Sequence, residues 1–255
     1  MNALPETMGR NLSAFYRLLG DHSAGGMVLE RNGLLAAVVP CCPNQSIVNA
    51  VLYEDADVLK AAHDELRETY ARAGVRVWRV WVPERDRTIG EWLEPSRYRL
   101  SGSPRAMALD LASADLTRVD DVQWERTEDA GAVASLNEQA YGLPNGEFAA
   151  ALKAFENGRA RLYLAHEQGE PAACAVALDA GSDCGIYAVA TRPNSRGRGL
   201  ASALICKALA DARDRGCTTS SLQSSTIGFP VYSRLGYRDL GPIRTWEYRS
   251  AELAP

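Results

Sequence analysis

A chain of 255 residues with 46% hydrophobic and 24% charged side chains reads as soluble and globular, with room for one large domain or two compact ones that each bury a core. Its formal net charge of -4 argues against nucleic acid as a main partner, because gripping a phosphate backbone normally takes a basic surface. No apolar run approaches the length of a membrane span, and the start, Met1 to Glu6, lacks a basic stretch followed by an apolar one; a cytoplasmic protein without membrane contact is expected.

In chain order, Met8, Leu12, Phe15, Tyr16 and Leu19 recur at helical spacing and predict an opening helix whose apolar stripe belongs to a core. Ala50 to Tyr53 then reads as a strand, Leu59 to Ala73 as a helix, and Val77 to Pro83 as a strand with alternating faces. Trp78 and Trp81 on that strand are expected to pack between strand and helix rather than to wall a pocket. After the strand-like Ala106 to Leu111, the run Ala112-Ser113-Ala114-Asp115 interrupts the apolar pattern. The boundary between two lobes is placed near Ala112 to Asp121, giving 1–115 and 120–255.

In the second half Thr127 is placed to cap a helix carrying Val133, Leu136 and Ala140, which ends near Gly142-Leu143-Pro144. Phe148, Leu152 and Phe155 mark a second helix. Ala160 to His166 and Ala172 to Asp179 form a hairpin across Gln168-Gly169, and a further strand runs from Cys184 to Thr191. The six cysteines show no Cys-x-x-Cys spacing, and His22, His63 and His166 lie far apart, so no metal site is expected. No basic partner marks a nucleophilic cysteine either.

The strand ending in Val189-Ala190-Thr191 leads through Arg192-Pro193-Asn194-Ser195-Arg196-Gly197-Arg198-Gly199 into a helix opening at Leu200-Ala201. Small residues here let backbone N–H groups of a helix start approach phosphate oxygens, while Arg196 and Arg198 add positive charge. A phosphorylated cofactor is implied. The loop lacks the lysine of a Walker motif and the third glycine of a dinucleotide fingerprint, since Ser202 stands where that glycine would be.

The spacing Arg196-x-x-Gly199-x-Ala201 resembles the GNAT superfamily of N-acetyltransferases, whose corresponding loop binds the pyrophosphate of acetyl-CoA. The resemblance continues past a helix stopped by Gly216 and a β-like run from Cys217 to Gln223. There Tyr232, Gly236 and Tyr237 fall on the tyrosine, glycine and aromatic of the family's second signature, and Ser225 replaces its usual asparagine. Leu136 to Gly142 and Leu222 to Ser225 further resemble bacterial two-lobed members. What the resemblance implies is an α/β fold of two tandem GNAT-like lobes, each a mixed sheet flanked by helices. It also implies acetyl-CoA as acyl donor, with Val189, Ala190 and Thr191 along the pantetheine arm and Arg196, Gly197, Arg198, Gly199, Leu200, Ala201 and Ser202 around the pyrophosphate. Ser225 and Tyr232 complete the cofactor set.

The first half repeats this order in degenerate form: Ala50 to Tyr53 matches Ala188 to Thr191, Leu59 to Ala73 matches Leu200 to Arg215, and Tyr98-Arg99 matches Tyr237-Arg238, at a nearly constant offset of about 140 residues. Its loop, however, reads Glu54-Asp55-Ala56-Asp57-Val58, whose carboxylates repel a pyrophosphate. Leu93 stands where Tyr232 stands in the second half.

The expected chemistry is direct attack of an acceptor amine, on a small molecule or a peptide, at the thioester. Backbone N–H groups near Val189 polarise the carbonyl, and Tyr232 protonates the leaving thiolate. Glu138, Asp183 and Tyr141 are the candidates for a base, with Glu138 first. The plain alternatives are an aromatic packed under its helix for Tyr232 and a solvated helix charge for Glu138. The rival function is a non-catalytic acyl-CoA-binding or regulatory module.

Overall fold

The computed structural model describes residues 6–117, 122–143 and 146–250. The first half runs α1 (Glu6–His22), β1 (Met27–Arg31), β2 (Leu34–Val38), β3 (Ala50–Tyr53), α2 (Ala56–Arg72), β4 (Val77–Pro83), α3 (Arg87–Leu93), β5 (Tyr98–Gly102) and β6 (Arg105–Asp110). The second runs β7 (Gln123–Thr127), α4 (Ala130–Tyr141), α5 (Glu147–Leu152), β8 (Ala160–Glu167), β9 (Glu170–Ala180), β10 (Asp183–Thr191), α6 (Leu200–Asp214), β11 (Thr219–Ser224), α7 (Phe229–Arg234) and β12 (Arg238–Arg249). The fold is α/β, one large mixed sheet flanked by helices, and among the described residues no helix is long and apolar enough to cross a membrane.

The repeat read from the sequence is visible as a repeated path. In each half an antiparallel hairpin leads to a strand, a helix and a parallel strand: β1-β2-β3-α2-β4, then β8-β9-β10-α6-β11. Both hairpins turn through two left-handed residues, Asn32-Gly33 (φ 51° and 79°) and Gln168-Gly169 (φ 55° and 83°), the turn that matches the twist of the flanking strands.

The two halves then exchange strands. β6 pairs with β11 from Thr219↔Asp110 to Ser224↔Arg105, and with the start of β12. The second part of β12, Ile243 to Arg249, pairs with β4. The order β1-β2-β3-β4-β12-β6-β11-β10-β9-β8-β7 therefore makes one continuous sheet, with each half's edge completed by a strand of the other.

One sequence expectation needs correction here, and β1, β2, α3, β5 and β7 are elements that the sequence reading does not contain. α4 is capped not by Thr127 but by Asp129, whose Oδ1 accepts from the Ala132 N–H at 2.9 Å. Thr127 ends β7 and accepts the Asp129 N–H on its own Oγ1 at 3.1 Å. β7 itself was not anticipated, because a largely exposed edge strand carries no alternation of apolar residues to reveal it. Pro144 and residues 118–121 of the expected boundary lie outside the described residues.

α1 ties the halves together. Asn11, fully buried on its inner face, donates from Nδ2 to the carbonyl of Leu178 (3.1 Å), the carbonyl of Asp183 (3.0 Å) and the Asp183 carboxylate (3.0 Å). Its Oδ1 accepts from the Tyr187 hydroxyl at 2.8 Å. The close approach needs Gly185, where a β-carbon would lie 2.1 Å from Asn11 Oδ1. Asn11→Ala is expected to cost about 2–4 kcal/mol of stability, since it leaves buried polar groups and a carboxylate short of donors. A chemical-denaturation midpoint unchanged from wild type would contradict this role.

Candidate active site

β10 and β11 pair only from Asp183 to Gly185, and beyond that point they diverge. On its other side β10 pairs regularly with β9 up to Tyr187 and again from Ala190, with an irregularity between them where Ala188 adopts φ 46°. A positive φ at an alanine is strained and persists only when held. Here α4 holds it: Asn137 Nδ2 donates to the Ala188 carbonyl at 3.1 Å and the Tyr141 hydroxyl to the Val189 carbonyl at 2.8 Å. With both carbonyls engaged, the bulge presents a fixed stretch of backbone to the gap between the strands. Asn137 is buried on α4 in line with the apolar Ala130, Val133 and Ala134, and that polarity among apolar positions is the signal by which the sequence could have given it away.

The loop after β10 opens onto α6. Gly197 and Gly199 both have φ 78°, a region L side chains avoid, and a β-carbon at either would meet nothing within 4 Å. The space beside both glycines is open. Gly199 is the N-cap of α6 and offers no side-chain acceptor, so the first-turn N–H groups at Leu200, Ala201 and Ser202 are left for an external acceptor. Arg196 is exposed, and its Nη2 donates to the Ala140 carbonyl at 3.1 Å. Arg198 is otherwise employed: it is ion-paired with Glu167, which also accepts from Ser195 Oγ at 2.7 Å and lies 3.8 Å from Arg192. These bonds, led by that of Ser195, hold the Glu167 carboxyl below its ordinary range. The open glycines and uncapped helix start fit a pyrophosphate, and Arg196 is the arginine left to face it.

Tyr232 on α7 is buried, with its ring 5.8 Å from that of Tyr237 at 74°. Its hydroxyl has no hydrogen-bond partner among the described residues, and burial, then the neighbouring Tyr141, raises its pKa well above that of a free phenol. Gly228 makes space for it, since a β-carbon there would lie 2.9 Å from Tyr232 Cε2. Ser225 Oγ accepts the Gly228 N–H at 3.2 Å and so caps the turn that leads into α7.

Tyr232, Ser225, Tyr141, Asn137 and the bulge at Ala188 and Val189 all line one cleft of about 490 Å³. The first half lines the same cleft with Leu12, Phe15 and Tyr16 of α1 and with Arg79 and Trp81 of β4. The stripe of α1 is thus core and cleft wall at once. The tryptophans divide, Trp78 stacking on Tyr70 at 4.5 Å and Trp81 facing the cleft.

Glu138 is not among the cleft-lining residues. Its Oε1 accepts the N–H groups of Gly146 (3.0 Å) and Ala149 (3.3 Å), so it caps α5, which Gly146 cannot do for itself. Asp183 is likewise spent on structure: besides Asn11 it accepts from Thr219 Oγ1 (2.7 Å) and Ser221 Oγ (2.6 Å). Among the described residues Glu247 is the one carboxylate lining the cleft. Cys174 lies against the bulge, 3.3 Å from the Ala188 carbonyl, but burial pushes its thiol up to about 12, which leaves it an inert packing group.

The corresponding place in the first half is closed to an anion. Asp55 caps α2 with its own carboxylate, accepting the Asp57 N–H at 2.7 Å, and Leu93 is fully buried.

Residues 120–237 match the sequence model described as the Acetyltransferase (GNAT) family. No curated protein matches the sequence. Among solved structures, the chain is similar to a GCN5-related N-acetyltransferase from Kribbella flavida at 14% identity, TM-score 0.69, over 98% of this chain and 98% of that one. A GCN5-related N-acetyltransferase from Sphaerobacter thermophilus is 17% identical with TM-score 0.59, over 87% and 82% of the two chains. A tandem GNAT protein from the clavulanic acid biosynthesis pathway is 12% identical with TM-score 0.57, over 98% and 97%. At these identities the likeness is one of fold.

Proposed function

We propose that this chain, which carries a GNAT-family acetyltransferase domain over residues 120–237, transfers an acetyl group from acetyl-CoA to an amine by direct attack. Residues 120–255 form its catalytic lobe, and residues 1–115 form a degenerate lobe that shapes the acceptor side of the cleft. The observation that carries the reading is the convergence in one cleft of a tyrosine hydroxyl, that of Tyr232, unpartnered among the described residues, with a bulged strand pinned at Ala188 and Val189.

Acetyl-CoA supplies the activated thioester. The chain's own residues do the rest. Val189, Ala190 and Thr191 run along the pantetheine arm; Gly197, Gly199, Leu200, Ala201 and Ser202 offer backbone to the pyrophosphate, with Arg196 as its counter-charge. Backbone N–H groups at the bulge face the thioester oxygen and stabilise the charge that develops there. Tyr232 stays protonated and gives its proton to the departing sulfur. Ser225 serves by setting α7, and with it Tyr232, rather than by reaching far into the cleft. Glu138 enters as a positioning residue that fixes α5 against α4. Glu247 is held by Arg249 at 2.7 Å and by Ser46, so the acceptor amine loses its proton to solvent.

An acetyl-CoA hydrolysis and amine-panel assay separates this reading from an acyl-CoA-binding module, for which acetyl-CoA would bind without turnover. One molecule of acetyl-CoA per chain should raise the melting temperature. Arg196→Ala should weaken CoA roughly tenfold to a hundredfold and dephosphorylated pantetheine much less, because the lost partner is a phosphate. Equal loss for both ligands would count against the loop. Gly199→Val should be worse still, since it forces a branched side chain into φ 78° beside the uncapped helix start.

A further inference from the structure

The first half of the chain places in the cleft a charge that acetyl transfer does not use. Arg79 on β4 lays its guanidinium over the ring of Trp81, 5.9 Å from the centroid. Its Nε and Nη2 both donate to Ser46 Oγ, at 3.1 and 2.7 Å. No carboxylate among the described residues stands within ion-pair distance of it. Glu247, its register partner on β12, accepts the Ser46 hydroxyl proton and pairs instead with Arg249 at 2.7 Å.

Arg249 takes the one carboxylate beside the two arginines, and Arg79, which lines the cleft, is left with the neutral Ser46 hydroxyl. Arg79 is half-buried and shares its wall with Tyr16, Trp81 and Val48. A guanidinium withdrawn from water into apolar surroundings is costly unless an anion meets it. Its planar fork suits a carboxylate or a phosphate. Arg79 and Arg249 against Glu247 leave one net positive charge, which matches a carboxylate better than a phosphate dianion.

We infer that the acceptor amine carries a carboxylate, which docks on Arg79 with the body of the molecule against Trp81 and Tyr16. The inference rests on the acetyl-transfer reading for its direction: the carboxylate is held on the wall of the first half, and the amine points across the cleft to the bulge at Ala188 and Val189.

The test compares an α-, a β- and a γ-amino acid, each beside its own carboxamide, with O-phosphoethanolamine as a phosphate arm. Wild type should prefer at least one carboxylate over its amide by roughly tenfold or more in kcat/KM. Arg79→Gln should abolish that preference while changing the amides by less than about threefold and leaving acetyl-CoA binding intact; Arg79→Lys, which keeps the charge without the fork, should retain part of it. Amides used as well as their acids by wild type, an Arg79→Gln enzyme that keeps the preference, or a phosphate arm that outperforms every carboxylate would each overturn the inference while acetyl transfer stands. Should no amine turn over although acetyl-CoA binds, the acetyl-transfer reading fails. Calorimetric titration of the same pairs then decides the site: a carboxylate bound by wild type and not by Arg79→Gln supports it, and no difference overturns it.

Discussion

Replacing Tyr232 with phenylalanine should lower turnover by roughly tenfold to a thousandfold and leave acetyl-CoA affinity nearly unchanged. The substitution removes one hydroxyl from a ring packed against Gly228 and Tyr237, so the fold has little reason to respond. Because burial raises the pKa of this phenol, the acid form persists through neutral and mildly alkaline pH. The wild-type pH profile should therefore rise as the acceptor amine becomes neutral and show no falling limb from Tyr232 over that range. Leu93→Tyr is the internal control. It restores the phenol to the first half but not an open helix start, since Asp55 caps α2, and no second activity should appear. Unchanged turnover in Tyr232→Phe, measured where chemistry limits the rate, would falsify the proton-donor role.

Removing residues 1–119 should abolish folding rather than yield a smaller enzyme. The fragment would lose β6, exposing the edge of β11 from Thr219 to Ser224, and would strip β4 from the second part of β12. Unpaired edges of this length invite aggregation. It would also lose Asn11, leaving the buried Asp183 carboxylate without that donor. The expected outcome is an insoluble fragment, or one without a cooperative thermal transition. A soluble 120–255 protein with full turnover would refute the integrated picture and make the first half dispensable.

Much of the second half was legible because its chemistry is local. A glycine is needed wherever φ turns positive beside a helix start, and Gly197 and Gly199 state that need in the sequence. Tyr232 is marked by its spacing from Gly236 and Tyr237. The tandem repeat was legible too, since the strand–helix order recurs at a constant offset. Glu138 shows the limit of such reading. A carboxylate on a helix beside a cleft has the same sequence signature whether it takes a proton from substrate or caps the next helix, and only the N–H groups of Gly146 and Ala149 within its reach decide between them.

By itself, then, the sequence determined the glycine loop that opens α6, the place of Tyr232 before Gly236 and Tyr237, and the strand–helix order around that loop, all of which depend on residues near one another in the chain. The tertiary structure alone decided which halves share strands, that Arg198 goes to Glu167, and that Tyr16, Arg79 and Trp81 line one cleft with Tyr232. Those outcomes depend on pairings between distant residues, and strand exchange and long-range ion pairs leave no periodicity in the sequence that forms them.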